Sequence, residues 1–125
     1  MMTQNFEDII AWQKAHAFVV LVYNTTKSFP TCERLGLCSQ FQRAAVSVAA
    51  NIAEGYKKLS KADKLRFMNI SQGSLEECRY YSILSRDLKY IDETVFDNLV
   101  NAISQTSYML NAYIKGIINN ASIKD

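Results

Sequence analysis

The side chains best suited to chemistry in this chain are one histidine, His16, and three cysteines, Cys32, Cys38 and Cys78. A di-iron site in a helical bundle needs Glu-x-x-His pairs on facing helices, and residue 13 is not a glutamate. A zinc site would need all four side chains, but their spacings match no familiar zinc pattern. A cysteine–histidine nucleophilic pair would need a group that orients His16, and the sequence suggests none. We therefore interpret the cysteines as plain thiols and expect no cofactor.

Motifs typical of common enzymes are missing from the sequence. It contains no glycine-rich phosphate loop, no G-x-S-x-G and no H-E-x-x-H. The opening MMTQNFEDII lacks the features of a secretory signal, and the apolar run 17–23 is much shorter than the roughly 20 residues that cross a bilayer. An odd number of cysteines fits a reducing compartment. We therefore predict a cytoplasmic protein that is not an enzyme and does not enter a membrane.

Polar residues of the second predicted helix follow steps of four, four and three, which place them on one face. The surrounding residues 44–50 are almost all small, so a neighbouring helix can approach closely. If this face is covered, its arginine needs a carboxylate partner from the same helix or the next one. We predict a structural polar network and leave open an exposed face or a ligand site. The network comprises Arg43, Ser47, Asn51, Glu54 and Glu76.

Basic residues concentrate in the segment 57–66, where five of them surround one acid and give a local charge of +4. The whole chain carries a formal net charge of only +2, far below that of a dedicated nucleic-acid binder. Such a segment is most often a solvated turn, and RNA or DNA contact or an acidic protein partner are the alternatives. The candidate nucleic-acid contacts are Lys57, Lys58, Lys61, Lys64 and Arg66.

The elements that carry these residues are predicted to be four long helices. One proline and four glycines in 125 residues leave few breaks, and apolar residues recur at helical spacing. Asn5, Ser60 and Asp92 are candidate N-caps. Gly73 lies inside the third helix, where a close helix crossing or a kink would explain it. We predict one all-α domain over residues 1–125, an up-down-up-down antiparallel four-helix bundle with helices at about 6–28, 37–58, 61–90 and 93–119.

Several short motifs, spread over nearly the whole chain, resemble those of the bacterial four-helix bundle proteins known as 23S rRNA-intervening sequence proteins. The resemblance implies a bundle that assembles into a ring-like homopentamer. It also implies similarity to the accessory variability proteins of diversity-generating retroelements, which bind nucleic acid through a basic pentameric barrel. The motifs are Trp12-Gln13, Phe29-Pro30, Glu33, Gly36-Leu37, Gln40, Arg43-Ala44-Ala45, Ser47, Asn51-Ile52-Ala53-Glu54-Gly55 and Gly73-Ser74-Leu75-Glu76.

Two functional hypotheses follow. The first is a non-catalytic protein that assembles with copies of itself, with a pentamer as the count that the resemblance implies. The alternative is a nucleic-acid binding module that uses the basic segment 57–66, in which case five copies around a ring would sum their charges.

Overall fold

The computed structural model describes residues 5–125, and in that range the chain is helical, without strands. None of these helices is long and apolar enough to span a lipid bilayer. Two short 3₁₀ turns, Phe6–Asp8 and Thr31–Glu33, precede the first and second α-helices. The α-helices are α1 (Ile10–Thr26), α2 (Leu37–Lys57), α3 (Lys61–Asp87) and α4 (Glu93–Asn119).

The start of the first helix differs from the prediction. Asn5 does act as a cap, but it caps the 3₁₀ turn: its side chain accepts a 2.8 Å hydrogen bond from the amide of Glu7. The backbone is then extended at Ile9 (φ −76°, ψ 119°), and α1 begins only at the next residue. This break buries Ile9, which is 4% exposed, and brings Phe6 edge-on to Trp12 at a ring distance of 5.0 Å. The burial of Ile9 therefore outweighs the hydrogen bonds that a continuous helix would form at this position.

The end of the third helix also differs, since α3 stops at Asp87 rather than near residue 90. Lys89 adopts a left-handed backbone with φ 64°. Its amide donates to the carbonyl of Arg86, and the amide of Tyr90 donates to the carbonyl of Ser85, both at 2.9 Å. This is the hydrogen-bond pattern of a Schellman motif, in which a left-handed residue ends the helix.

Cross-helix hydrogen bonds fix the directions of the helices. Gln40 and Val48 of α2 accept hydrogen bonds from Tyr81 and Ser71 of α3, respectively, so these helices run antiparallel. Gln72 and Lys61 of α3 donate hydrogen bonds to Asn111 and Ile118 of α4, respectively, so this pair of helices is also antiparallel. α1 packs on α2 and α4, and α3 packs on the same two helices. The result is a four-sided bundle in which the α1–α4 side lies opposite the α2–α3 side.

The core is closed by large side chains from all four helices, while small residues set the spacing between α2 and its neighbours. Ala45 and Val48 are fully buried, and Gly55 lies where α2 is in close contact with α3. A Cβ on Gly55 would collide with Met68 and lie 2.9 Å from Phe67 Cβ. The close crossing expected beside Gly73 is therefore at Gly55; Gly73 is exposed, with no atom within 4 Å of its Cβ position. The largest fully buried side chains include Phe18, Phe41, Ile52, Met68, Leu99, Ile103 and Leu110.

Candidate functional site

A cleft of about 270 Å³ lies between α2 and α3 on the surface of the bundle. We call it the α2–α3 groove. Its position follows from small side chains on both helices, which keep the helix axes close and leave room above them. The polar residues that line it are Gln40, Arg43, Ser47, Ser74, Glu77 and Tyr81.

The floor of the groove is a chain of hydrogen bonds between the two helices. The hydroxyl oxygens of Ser47 and Ser74 are 2.8 Å apart, so one donates to the other. The side-chain amide of Asn51 donates to the carbonyl of Ser47 at 2.8 Å and to its hydroxyl at 3.0 Å. Deeper in the bundle, the buried hydroxyl of Ser71 donates to the carbonyl of Val48 at 2.8 Å. Because the floor polar groups bond one another, the floor is a fixed surface.

One end of the groove is closed by the phenol of Tyr81. Its oxygen lies 2.9 Å from a carboxylate oxygen of Glu77 and 3.1 Å from the side-chain oxygen of Gln40. Burial, followed by the hydrogen bond to Glu77, raises the pKa of Tyr81 to about 12. The phenol therefore keeps its proton at neutral pH and acts as a hydrogen-bond donor.

Of the three charged residues in the predicted network, Arg43 lines the groove, whereas Glu54 and Glu76 lie outside its lining. Arg43 and Glu54 are exposed, and within residues 5–125 neither has a hydrogen-bond or ion-pair partner. Glu76 is also exposed and pairs with Arg79 at 3.8 Å. The expected pairing of Arg43 with Glu54 or Glu76 thus does not form among residues 5–125, where all three side chains are exposed.

Of the five residues in the predicted network, the structure joins Ser47 and Asn51 and leaves the three charged ones on the surface. Sequence reasoning missed Ser74, which completes the floor, and Tyr81, which closes the groove end. Tyr81 follows Glu77 by four residues, and that spacing was a usable signal of a shared helix face.

Two lysines of the basic segment 57–66 bond to main-chain carbonyls at the ends of α2 and α4. Lys64 donates a 2.6 Å hydrogen bond to the carbonyl of Tyr56 in the last turn of α2. Lys61 donates a 2.9 Å hydrogen bond to the carbonyl of Ile118 near the end of α4, and it lies 3.8 Å from the carboxylate of Asp125. A cation at a helix C-terminus satisfies unpaired carbonyls and complements the helix dipole. Both lysines therefore have structural partners at this end of the bundle.

The other basic side chains of this segment are more open. Lys58 Nζ lies 4.9 Å from the ring centre of Phe67. Arg66 forms a 3.2 Å ion pair with Asp63. Lys57 is exposed and has no hydrogen-bond or ion-pair partner among residues 5–125. Only part of the local charge is thus free to meet a phosphate.

The three thiols and the histidine lie in different environments. Cys78 is buried, and burial, with a smaller effect of Glu77, raises its pKa to about 12. Cys38 is buried and its pKa is raised by burial, whereas Cys32 is exposed. His16 is exposed and stacks on Trp12 with a ring distance of 5.0 Å. No group of three or more His, Cys, Asp or Glu residues within 5–125 is arranged to hold a metal ion.

Residues 7–112 match the sequence model of the family described as 23S rRNA-intervening sequence protein. Among solved structures, one from Bacteroides thetaiotaomicron, described as a protein with unknown function from the S23 ribosomal protein family, superposes with a TM-score of 0.77. It is 24% identical and covers 84% of this chain and 98% of its own, a likeness that shows a shared fold. No curated protein sequence matches this chain significantly. Because the family model spans most of the sequence, this chain belongs to the 23S rRNA-intervening sequence protein family.

Proposed function

We propose that this protein is a non-catalytic assembly protein that forms a homo-oligomeric ring, with five copies as the expected count. The observation that carries the proposal is the α2–α3 groove, which is lined by a hydrogen-bonded floor and by the guanidinium of Arg43, a group without a partner among residues 5–125. A preformed surface with an unpaired guanidinium is suited to a protein neighbour that supplies the missing acceptors.

Apolar side chains beside the groove also support burial against a partner. Ile70 is 46% exposed and Tyr80 is 57% exposed on the outside of α3. Between them lies Gly73, where the open space leaves room for close approach. Apolar and aromatic residues around a polar groove are characteristic of protein contact surfaces.

The groove chemistry supports binding rather than catalysis. The hydroxyls of Ser47 and Ser74 bond to each other, and that of Ser47 also accepts from the amide of Asn51, so neither is hydrogen-bonded to a base among residues 5–125. Tyr81 is held protonated at neutral pH, so its phenol acts as a hydrogen-bond donor. These groups can donate and accept hydrogen bonds, which is what recognition of a protein surface requires.

Nucleic-acid binding through the basic segment is the second candidate. The exposed Lys57 and the half-buried Lys58 favour it, since five copies would bring ten such ammonium groups to one end of a ring. It has less support than assembly, because Lys61 and Lys64 already bond to helix carbonyls. Titration of labelled RNA at low salt separates the candidates. The charge reversal of Lys57 and Lys58 should abolish binding without changing the mass of the particle.

Native mass spectrometry of the full chain tests the assembly proposal. The wild type should appear as a closed oligomer, and Arg43→Glu should lower the oligomer count because it places a carboxylate beside Glu77. Lys57→Glu is the matched control, an exposed charge reversal on the same helix outside the groove, and it should keep the wild-type mass. A monomeric wild type at micromolar concentration would exclude this function.

A further inference from the structure

A second cleft, of about 240 Å³, lies at the end of the bundle where the chain turns from α1 into α2. We call it the α1–α2 turn cleft. Its volume is below the roughly 300–1,000 Å³ of pockets that hold drug-sized ligands, so it suits a smaller molecule. It shares no lining residue with the α2–α3 groove. The residues that give it its chemistry are two cations, two hydroxyls, an amide and a phenyl ring, from Lys27, Arg34, Thr26, Thr31, Gln42 and Phe29.

The charge of this cleft is positive. Lys27 and Arg34 contribute two positive charges, and no Asp or Glu occurs in the lining that the described residues form. Both side chains are exposed, and neither has a hydrogen-bond or ion-pair partner in the part of the chain that the structure describes. Glu33, the acid next to Arg34 in sequence, is engaged elsewhere, since its carboxylate accepts hydrogen bonds from the phenol of Tyr90 at 2.8 Å and the amide of Leu37 at 3.2 Å. Two cations without partners beside one cleft favour an anion that carries two charges.

The fold also holds a neutral hydrogen-bond donor in this cleft. The hydroxyl of Thr26 donates to the carbonyl of Val22 at 2.9 Å, so it accepts the 2.9 Å hydrogen bond from the side-chain amide of Gln42. That bond orients the amide and uses one of its two N–H groups. The second N–H is available to an acceptor in the cleft, and the hydroxyl of Thr31, which has no partner among the described residues, is a further donor.

The walls of the cleft are fixed and neutral. Phe29 is 8% exposed, and its ring packs on that of Tyr90 at a distance of 5.3 Å. The thiol of Cys38 donates to the carbonyl of Thr26 at 3.7 Å. Burial raises the pKa of Cys38, so the thiol is uncharged at neutral pH and does not repel an anion. Because α1 ends and α2 begins here, their helix dipoles oppose each other, and the preference for an anion comes from the two cationic side chains.

A phosphate monoester matches these groups better than a carboxylate does. It carries about −1.5 to −2 charges at neutral pH and presents three strong acceptor oxygens, which suit two cations together with the donors of Thr31 and Gln42. A carboxylate carries a single charge, which Arg34 alone can pair through two parallel hydrogen bonds. The guanidinium of Arg34 can bind two phosphate oxygens in the same way, while the ammonium of Lys27 acts as a compact point charge.

We infer that the α1–α2 turn cleft binds a small phosphomonoester. Lys27 and Arg34 neutralise its phosphate group, Thr31 and Gln42 donate hydrogen bonds to the phosphate oxygens, and the carbon part of the molecule lies against Phe29. This binding site is additional to the proposed assembly function and does not depend on it, because it lies within one chain and outside the α2–α3 groove.

The test is an NMR titration of the ¹⁵N-labelled full chain with glycerol 3-phosphate. The amide signals of Thr31 and Cys38 and the side-chain amide signal of Gln42 should shift and saturate. Lys27→Gln and Arg34→Gln should each weaken the affinity at least about tenfold, because each removes a charge-assisted hydrogen bond. Lys89→Gln, which removes an exposed cation at the same end of the bundle outside this cleft, is the matched control and should bind as the wild type does.

Methanesulfonate and inorganic phosphate serve as the comparison ligands. Methanesulfonate has a similar shape and one charge, so it should bind more weakly than glycerol 3-phosphate. Circular dichroism confirms that the variants are folded, and Thr31→Val, which removes a donor of the cleft, replaces either variant if that variant loses helicity.

Four results would overturn the inference. The first is the absence of saturable shifts in the cleft at millimolar glycerol 3-phosphate, and the second is the confinement of the shifts to the basic segment 57–66. An equal loss of affinity in Lys89→Gln would assign binding to general electrostatic attraction. Saturation by inorganic phosphate without a response to glycerol 3-phosphate would show a site for an inorganic anion instead.

Discussion

The ammonium group of Lys64 donates a 2.6 Å hydrogen bond to the main-chain carbonyl of Tyr56, across the turn that joins α2 to α3. Burial lowers the pKa of Lys64, so the bond has to offset a cost of desolvation. We expect Lys64→Met to lower the free energy of unfolding by about 1 kcal/mol, because it leaves a helix-end carbonyl without its cation. Lys57→Met should change it by less than about 0.5 kcal/mol. Urea unfolding at a fixed protein concentration measures both, and equal effects would contradict this role.

The two glycines Gly55 and Gly73 should respond to alanine in opposite directions. Gly55→Ala forces a methyl group against Met68 and Phe67, and overpacking of this kind costs about 1 to 3 kcal/mol. Gly73→Ala adds a methyl group in open space within a helix, which should stabilise the fold by about 0.5 to 1 kcal/mol. Thermal unfolding by circular dichroism measures both. A loss of stability in Gly73→Ala would mean that this surface is occupied in the assembled protein.

Lys89 should be replaceable by glycine with a gain in stability. Its left-handed backbone, with φ 64°, is strained for a residue with a Cβ, and glycine removes that cost of about 1 kcal/mol. The hydrogen bonds of the motif come from the backbone, so they survive the change. Lys89→Ala, which removes the charge and keeps the Cβ, is the matched control and should leave the melting temperature nearly unchanged. A gain in both variants would point to the charge instead.

Alkaline pH should destabilise the protein in two overlapping steps. The folded state raises the pKa of Cys78 from 9.0 and that of Tyr81 from 10.0, each to about 12. The unfolded chain then loses these protons at lower pH than the folded chain does. The stability that they contribute is complete below pH 9 and declines as the pH rises toward 12.

Melting temperatures between pH 7 and 11 measure this decline. Tyr81→Phe keeps the aromatic ring of the side chain and removes its titratable hydroxyl. The melting temperature of this variant should therefore fall less steeply above pH 10 than that of the wild type. Cys78→Ala should remove the earlier part of the decline, which begins near pH 9. Curves that run parallel in all three proteins would assign the loss of stability to other groups.

The helices could be predicted where the sequence carries end signals that act locally. Ser60 and Asp92 cap α3 and α4 with side-chain hydrogen bonds, and both helices begin where these residues indicate. Asn5 gives the same signal but caps a 3₁₀ turn, because the burial of Ile9 diverts the chain before α1 starts. A cap motif reports that a helical turn begins, and the packing beyond it decides how long the helix runs.

In the candidate site, the sequence predicted contacts between residues of the same helix but not contacts between helices. Spacing placed Ser47 and Asn51 on the same face, and they do bond to each other. Ser74 belongs to α3. Which residue of α3 lies opposite Ser47 depends on how α2 and α3 are aligned in the bundle. The partners of Lys61 and Lys64 depend likewise on where helix ends meet. Charge density along the sequence therefore could not distinguish a phosphate site from a helix cap.

The packing of α1 against α4 has a consequence for synthesis of the chain. These two helices are the farthest apart in sequence, yet α1 packs on α4 as well as on α2. The hairpin of α2 and α3 can form as soon as both have been made, but α1 keeps part of its apolar surface exposed until the final helix is complete. A nascent chain that stalls before residue 99 therefore presents an open, unpaired helix groove, and such partly folded chains are the ones most prone to aggregate.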